Sequence, residues 1–188
     1  MDFDTILFIG KPGSGKGTQA KLLAEKTGFP IIASGDLFRA IVKEETHIGR
    51  KMKEEHEQGL LAPDWFAMYL FQKSVLGLDP SSGIIFDGFG RKVPEAKVVV
   101  DVLNWLERKF TALYVDVPDS DIIERLELRK ESSGRADDHS VEKRLEEFRT
   151  YTEPSVEVFR QAGHLIEIDG TPSVEVIHAD ITQRLGLS

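Results

Sequence analysis

Five short apolar runs, at 5–9, 30–33, 83–86, 112–117 and 164–168, recur along the chain between segments whose apolar residues lie three and four apart. Those segments include Leu22 and Leu23, 65–76, 98–106, 122–126, 145–159 and 174–185, and their spacing is that of helices packed on one side. Strand and helix therefore alternate. A parallel crossover needs a helix-sized connection, so the pattern predicts an α/β protein with a parallel sheet covered by helices on both faces. Two stretches fit this scheme less well: the polar, helical region 44–62, and 129–138, which reads RKESSGRADD. Neither is expected to form a core element. They are either ordinary surface insertions or lids over a site.

Composition narrows the class. At 188 residues one domain is the natural expectation. With no cysteine there is no disulfide, thiolate metal site or thiol nucleophile, and the five histidines show no metal-ligand spacing. The early apolar stretch 6–9 is far short of the ~20 residues of a membrane span, and no basic segment precedes it. A cytoplasmic protein is expected. The formal charge of -8 repels nucleic acid and acidic membranes, so neither is an expected partner, and phosphate binding requires a local concentration of positive groups. No long exposed apolar face stands out, which makes a monomer the default.

That local charge has candidates. Directly after the first run comes GKPGSGKGT, from Gly10 to Thr18, a modified form of G-x-x-x-x-G-K-[ST] with Gly17 inserted before Thr18. Its glycines let backbone N–H groups converge on phosphate oxygens, the helix that follows adds its positive end, and Lys16 supplies a point charge. Thr18 offers a hydroxyl to Mg2+. The bland alternative is a glycine-rich turn. A second group, Asp87-Gly88-Phe89-Gly90-Arg91, closes the third run, where parallel sheets present ligand-binding groups. Asp87 suits magnesium held through water, or simply a turn. The third is arginine density: Arg125, Arg129, Arg135, Arg144 and Arg149 fall within 25 residues. They serve either phosphoryl transfer, whose developing charge is stabilised by positioned cations, or a solvated ion-pair face with Glu124, Glu127, Glu131 and Glu142.

Together with Ser34-Gly35-Asp36-Leu37-Phe38-Arg39, Gly59-Leu60-Leu61-Ala62-Pro63 and Gly134-Arg135-Ala136-Asp137-Asp138, these motifs resemble adenylate kinase in order and near spacing, over essentially the whole chain. The resemblance implies a three-layer P-loop NTPase fold with a five-stranded parallel sheet. It divides the chain into a core (1–33, 64–128, 140–188), a helical NMP-binding insertion (34–63) and a short lid (129–139) without zinc. It implies MgATP + AMP to two ADP, with Mg2+ as cofactor and ATP and AMP as partners. Gly13, Ser14, Gly15, Lys16, Gly17 and Thr18 would hold the ATP phosphates. Arg125 would stack on the ATP base, against which Pro172 also lies, and Arg129 would contact the transferring group. Arg39, Arg91, Arg135 and Arg144 would grip the acceptor phosphate and bridge the nucleotides. Ser34, Leu60, Leu61, Ala62, Gly88, Phe89 and Gly90 would complete the monophosphate pocket, although Ser34 is also a good N-cap for a helix beginning at Asp36.

Three positions depart from the family pattern. Glu95 stands where the family has the glutamine that reads the acceptor base. A carboxylate offers acceptors only, a mismatch with adenine worth ~1–3 kcal/mol and a better match to guanine, which raises a GMP-preferring kinase as an alternative. Equally, Glu95 is a helix N-terminal acid, favourable to the helix dipole whatever the substrate. Gly90 replaces a proline before Arg91, and its freedom is expected to make positioning that arginine costlier by ~0.4–1 kcal/mol. The spacer from Asp138 to Arg144 is shorter than the family's, which bears on the direction of Arg144. From another class, a nucleotide-binding regulatory module would keep the cradle and lose transfer.

Overall fold

Neighbouring residues of the first apolar run feed two different cores. In the computed structural model, which describes residues 3–57, 60–133 and 141–187, this run forms β1 (Thr5–Gly10), followed by β2 (Ile31–Ala33), β3 (Ile84–Asp87), β4 (Phe110–Asp116) and β5 (Leu165–Asp169). Leu7 and Ile9 point into one layer and Ile6 and Phe8 into the other, the period of two expected of a strand covered on both faces. All pairings are parallel, in the order β2-β3-β1-β4-β5. The chain leaves β1 for β2 on one side of it and later crosses from β3 past β1 to β4 on the other, and the crevice at the carboxyl ends of the strands where the order reverses is where such sheets bind ligands.

The helices are α1 (Lys16–Thr27), α2 (Ser34–Val42), α3 (His47–Glu57), α4 (Asp64–Leu76), α5 (Val93–Trp105), α6 (Asp119–Ser133), α7 (Val141–Glu147), α8 (Glu153–Gln161) and α9 (Val174–Arg184). Buried residues of α4, α5 and α8 join the Leu7 core, among them Phe71, Leu103 and Phe159, while α1, α6, α7 and α9 cover the other face through Leu23, Leu126, Leu145 and Ile181. The three-layer α/β architecture follows directly from the alternation of runs. None of the described helices is long and apolar enough to cross a membrane.

One expectation is corrected and another refined. The polar stretch 44–62 does enter the core: α3 buries Met52 and packs Ile48 against the same cluster. These residues lie four apart, one turn on an otherwise charged helix, and that suffices to dock it. The segment 145–159 is helical as its spacing predicts but not α-helical throughout, since α7 runs through a π-helical turn (Phe148–Thr152) into α8. Pro154 has no N–H to donate, and the Glu153 N–H reaches back five residues to the Phe148 carbonyl, widening the helix there.

At the opposite end of the sheet, Arg108 is 8% exposed and ties three strands' starts together. Its Nε donates to Thr5 Oγ1 (2.8 Å), its Nη2 to the Ser82 carbonyl (2.6 Å), and it pairs with Asp4 at 3.1 Å. Arg108→Ala strands these partners, so we expect about 3 kcal/mol of destabilisation and a Tm lower by about 6–12 °C. Thermal unfolding checks this; because the site lies at the other end, kcat should stay within about twofold.

Candidate active site

The loop after β1 is built on backbone conformations that only glycine adopts cheaply. Gly13 and Gly15 have φ of 83° and 88°, and a Cβ on Gly13 would lie 2.9 Å from Leu126 Cγ. Gly15 leads into α1, so the helix's first N–H groups and the side chain of Lys16 open toward the carboxyl end of the sheet. Lys16 Nζ donates to the Lys11 carbonyl at 2.9 Å. Ser14 Oγ is buried with no hydrogen-bond partner among the described residues.

Lys11 anchors the loop from beneath. Its Nζ donates to the Val117 carbonyl (2.8 Å) and pairs with Asp119 (2.8 Å), whose other oxygen binds Arg149. These partners, Lys11 first, hold the Asp119 carboxyl below the usual carboxylate range. Arg149 is thereby engaged in an ion pair, although with Asp119 rather than with any of the glutamates the bland alternative named. On the far side, Gln19 is buried and donates to the Val174 carbonyl at 2.9 Å. Arg125 Nη2 donates to the Gly170 carbonyl at 2.9 Å. Both side chains hold the 170–174 loop that carries Pro172 beside α1 and α6.

At the end of β3, Asp87 sits against the loop: a Cβ on Gly17 would lie 3.4 Å from its Oδ2, and its Oδ1 is buried without a hydrogen-bond partner among the described residues. Among the described residues no group of three or more His, Asp or Glu side chains is placed to hold a metal directly. Asp87, with the exposed Thr18 next to Gly17, therefore fits an ion whose remaining ligands are water and phosphate oxygens.

The turn after Asp87 aims Arg91. Arg91 Nε donates to the Gly88 carbonyl (2.7 Å), and Ser34 Oγ donates to the same oxygen (2.8 Å) while lying 3.3 Å from Arg91 Nη2. Ser34 is not the helix cap it resembles. It is the first residue of α2, the cap position falls on Ala33, and the hydroxyl is spent across the cleft on Gly88. Gly90 takes φ +70°, a conformation closed to proline and costly for other residues. The Arg91 N–H then meets Glu95 Oε2 at 2.9 Å. Gly90 thus sits in a defined turn whose positive φ glycine accommodates. A Cβ there would lie 3.0 Å from Phe159 Cζ. Gly90→Ala should cost about 1–3 kcal/mol and lower Tm by about 2–12 °C, and Gly90→Pro more; calorimetry showing an unchanged Tm would contradict this backbone assignment.

Glu95 is 5% exposed. Burial pushes its carboxyl up, opposed by the Arg91 N–H and by the charges of Arg91 and Lys92.

Lys16, Ser34, Arg39, Leu60, Leu61, Ala62, Gly88, Phe89, Arg91, Glu95 and Arg144 line one cleft. Arg39 also pairs with Asp36 one turn away on α2. Arg144, on α7, reaches this cleft despite the short spacer preceding it. The backbone of Arg129 lies in α6, but its side chain, Arg135 and most of the 129–139 segment lie outside the described residues. Two residues in the cleft's frame were not among the expected site residues. Lys92 donates to the Ala62 carbonyl (3.1 Å) and pairs with Asp64 (2.7 Å). Glu147 accepts the Leu61 N–H at 3.3 Å. Glu147 lies three residues after Arg144, on the same face of the helix, and that spacing was the available clue.

A family model described as adenylate kinase matches residues 8–164. The chain is 35% identical to an adenylate kinase of Leptospira biflexa over 96% of its length and 98% of that protein's. It is 36% identical to one of Bacteroides fragilis over 96% of its length and 97% of that protein's. A third relative, the adenylate kinase of Fusobacterium nucleatum, is 35% identical, with 99% of this chain and all of that protein covered. These names give no support to a GMP-preferring acceptor site.

Proposed function

Since the chain belongs to the adenylate kinase family of phosphotransferases, we propose that it transfers the γ-phosphoryl group of MgATP reversibly to AMP, forming two ADP. The observation that carries this reading is the convergence of Lys16, Arg39, Arg91 and Arg144 on one cleft between the glycine loop and the 34–63 insertion, in a chain whose net charge is -8. An acceptor phosphate oxygen attacks the γ-phosphorus in line, the bond from that phosphorus to the β,γ-bridging oxygen breaks, and the electron pair leaves with ADP. The acceptor is a phosphate monoester with a second pKa of about 6, already anionic at neutral pH. No protein nucleophile is required, and no general base.

The residues supply position and charge. Gly13 to Thr18 cradle the donor phosphates, Lys16 faces the oxygens where charge builds, and Arg125 with Pro172 borders the donor base. Arg39, Arg91, Arg135 and Arg144 grip the acceptor phosphate and bridge the two nucleotides, and Arg129 contacts the transferring group. Ser34, Leu60, Leu61 and Ala62 with Gly88, Phe89 and Gly90 shape the monophosphate pocket, and Glu95 closes it. Mg2+, when bound near Asp87 and Thr18, neutralises phosphate charge. Closure of 34–63 over the monophosphate and of about 130–139 over ATP excludes water, which would otherwise compete as acceptor.

A coupled assay of ADP formation with MgATP and each of AMP, GMP, CMP and UMP tests the proposal. AMP should react fastest, with little ATP consumed in its absence. GMP outrunning AMP would overturn the acceptor assignment. No reaction with any acceptor would leave a nucleotide-binding module.

A further inference from the structure

Glu95 occupies the base-reading position, yet one of its oxygens is committed elsewhere: Oε2 accepts the Arg91 N–H at 2.9 Å. That bond spans the first turn of α5, from a residue just outside the helix to one at its third position, where a carboxylate is favoured by the helix dipole. The contact depends on Gly90. With φ +70°, this residue turns the chain so that the Arg91 N–H faces the start of α5 while the Arg91 side chain returns over the Gly88 carbonyl (2.7 Å) and Ser34 (3.3 Å). Phe159 and Ala96 close the space on the other side of Gly90. A residue with the widest backbone freedom thus precedes the arginine, and a buried carboxylate removes that freedom from the arginine's own amide.

We propose that Glu95 is a positioning residue that acts on the acceptor phosphate through Arg91, fixing the Gly90 turn in place of the rigidity a proline would bring. The inference rests on the reading that Arg91 holds the acceptor phosphate, and it deepens that reading by giving Glu95 a role independent of the base.

Two variants, read in the presence and absence of the Arg91 side chain, separate this role from base reading. Glu95→Gln retains an oxygen that accepts the Arg91 N–H, whereas Glu95→Met fills similar volume without an acceptor. Losing a hydrogen bond to a charged group predicts at least about a tenfold rise in KM for AMP in Glu95→Met, with KM for ATP within about twofold and Glu95→Gln within about threefold of the parent for AMP. If Glu95→Met does not fold, Glu95→Ala replaces it. Titration calorimetry with AMP completes a double-mutant cycle: in an Arg91→Ala background, Glu95→Met should change Kd by less than about twofold. The proposal fails if Glu95→Gln is as impaired as Glu95→Met, or if the full effect persists without the Arg91 side chain. A parent protein that forms no ADP from ATP and AMP would instead overturn the assignment of the reaction, so the two failures are distinguishable.

Discussion

Lys16→Met is expected to lower kcat about 10²- to 10³-fold while lowering Tm by no more than about 6 °C. The substitution keeps the length of the side chain and its packing at the start of α1 but removes the charge that faces the cleft beside Arg91 and Arg144. A preorganised donor aimed at developing charge, in a site shielded from water, is worth about 3–4 kcal/mol of barrier. The ground-state hydrogen bond from Lys16 to the Lys11 carbonyl is a modest contributor to folding by comparison, about 0.5–1.5 kcal/mol. Lys11 remains bound to Val117 and Asp119, so the loop should hold its shape. Steady-state rates alongside calorimetry check both halves; a loss of kcat below about fivefold would remove Lys16 from the chemical step.

Arg91→Ala is expected to reduce kcat/KM for AMP about 10³-fold, with a large part of the loss in KM. The guanidinium is oriented by the Gly88 carbonyl and by Ser34, and it presents a fork suited to two phosphate oxygens at once. Lysine offers a point charge without that geometry, so Arg91→Lys should recover less than about a tenth of the lost activity. Rates measured with AMP varied at saturating ATP decide this. Unchanged KM for AMP in Arg91→Ala would place the acceptor phosphate elsewhere.

The parts of this molecule that could be read in advance are those written in contiguous residues. The five strands appear as apolar runs, and the observed boundaries differ by a residue or two, as where β4 begins at Phe110 rather than at 112. The glycine loop and the Asp87 to Arg91 turn are local motifs, and both lie at the carboxyl ends of β1 and β3. What escaped depends on partners far apart in the chain. The Ser34 hydroxyl crosses 54 positions to the Gly88 carbonyl, and no local rule for helix caps anticipates that competitor. Glu147 reaches Leu61 across 86 positions, and Lys92 pairs with Asp64; in sequence one is a further charge on a helix and the other a further charge just before one. The conformation of Gly90 was hidden for another reason. Glycine is compatible with either sign of φ, so the residue type alone leaves the turn open, and only its packing against Phe159 and the Arg91 to Glu95 bond select one sign.

The acidic total also takes on a place. Surface carboxylates pair with neighbours such as Arg160 and Arg184, where exposed ion pairs contribute little, whereas the cations that matter face the cleft. The fate of the transferred group tests this arrangement most directly. With ATP labelled at its γ-phosphorus and AMP present, the account predicts that the label appears almost entirely in the β-phosphate of ADP, and that two ADP form for each ATP consumed. Label recovered chiefly as inorganic phosphate, at a rate indifferent to AMP, would contradict it.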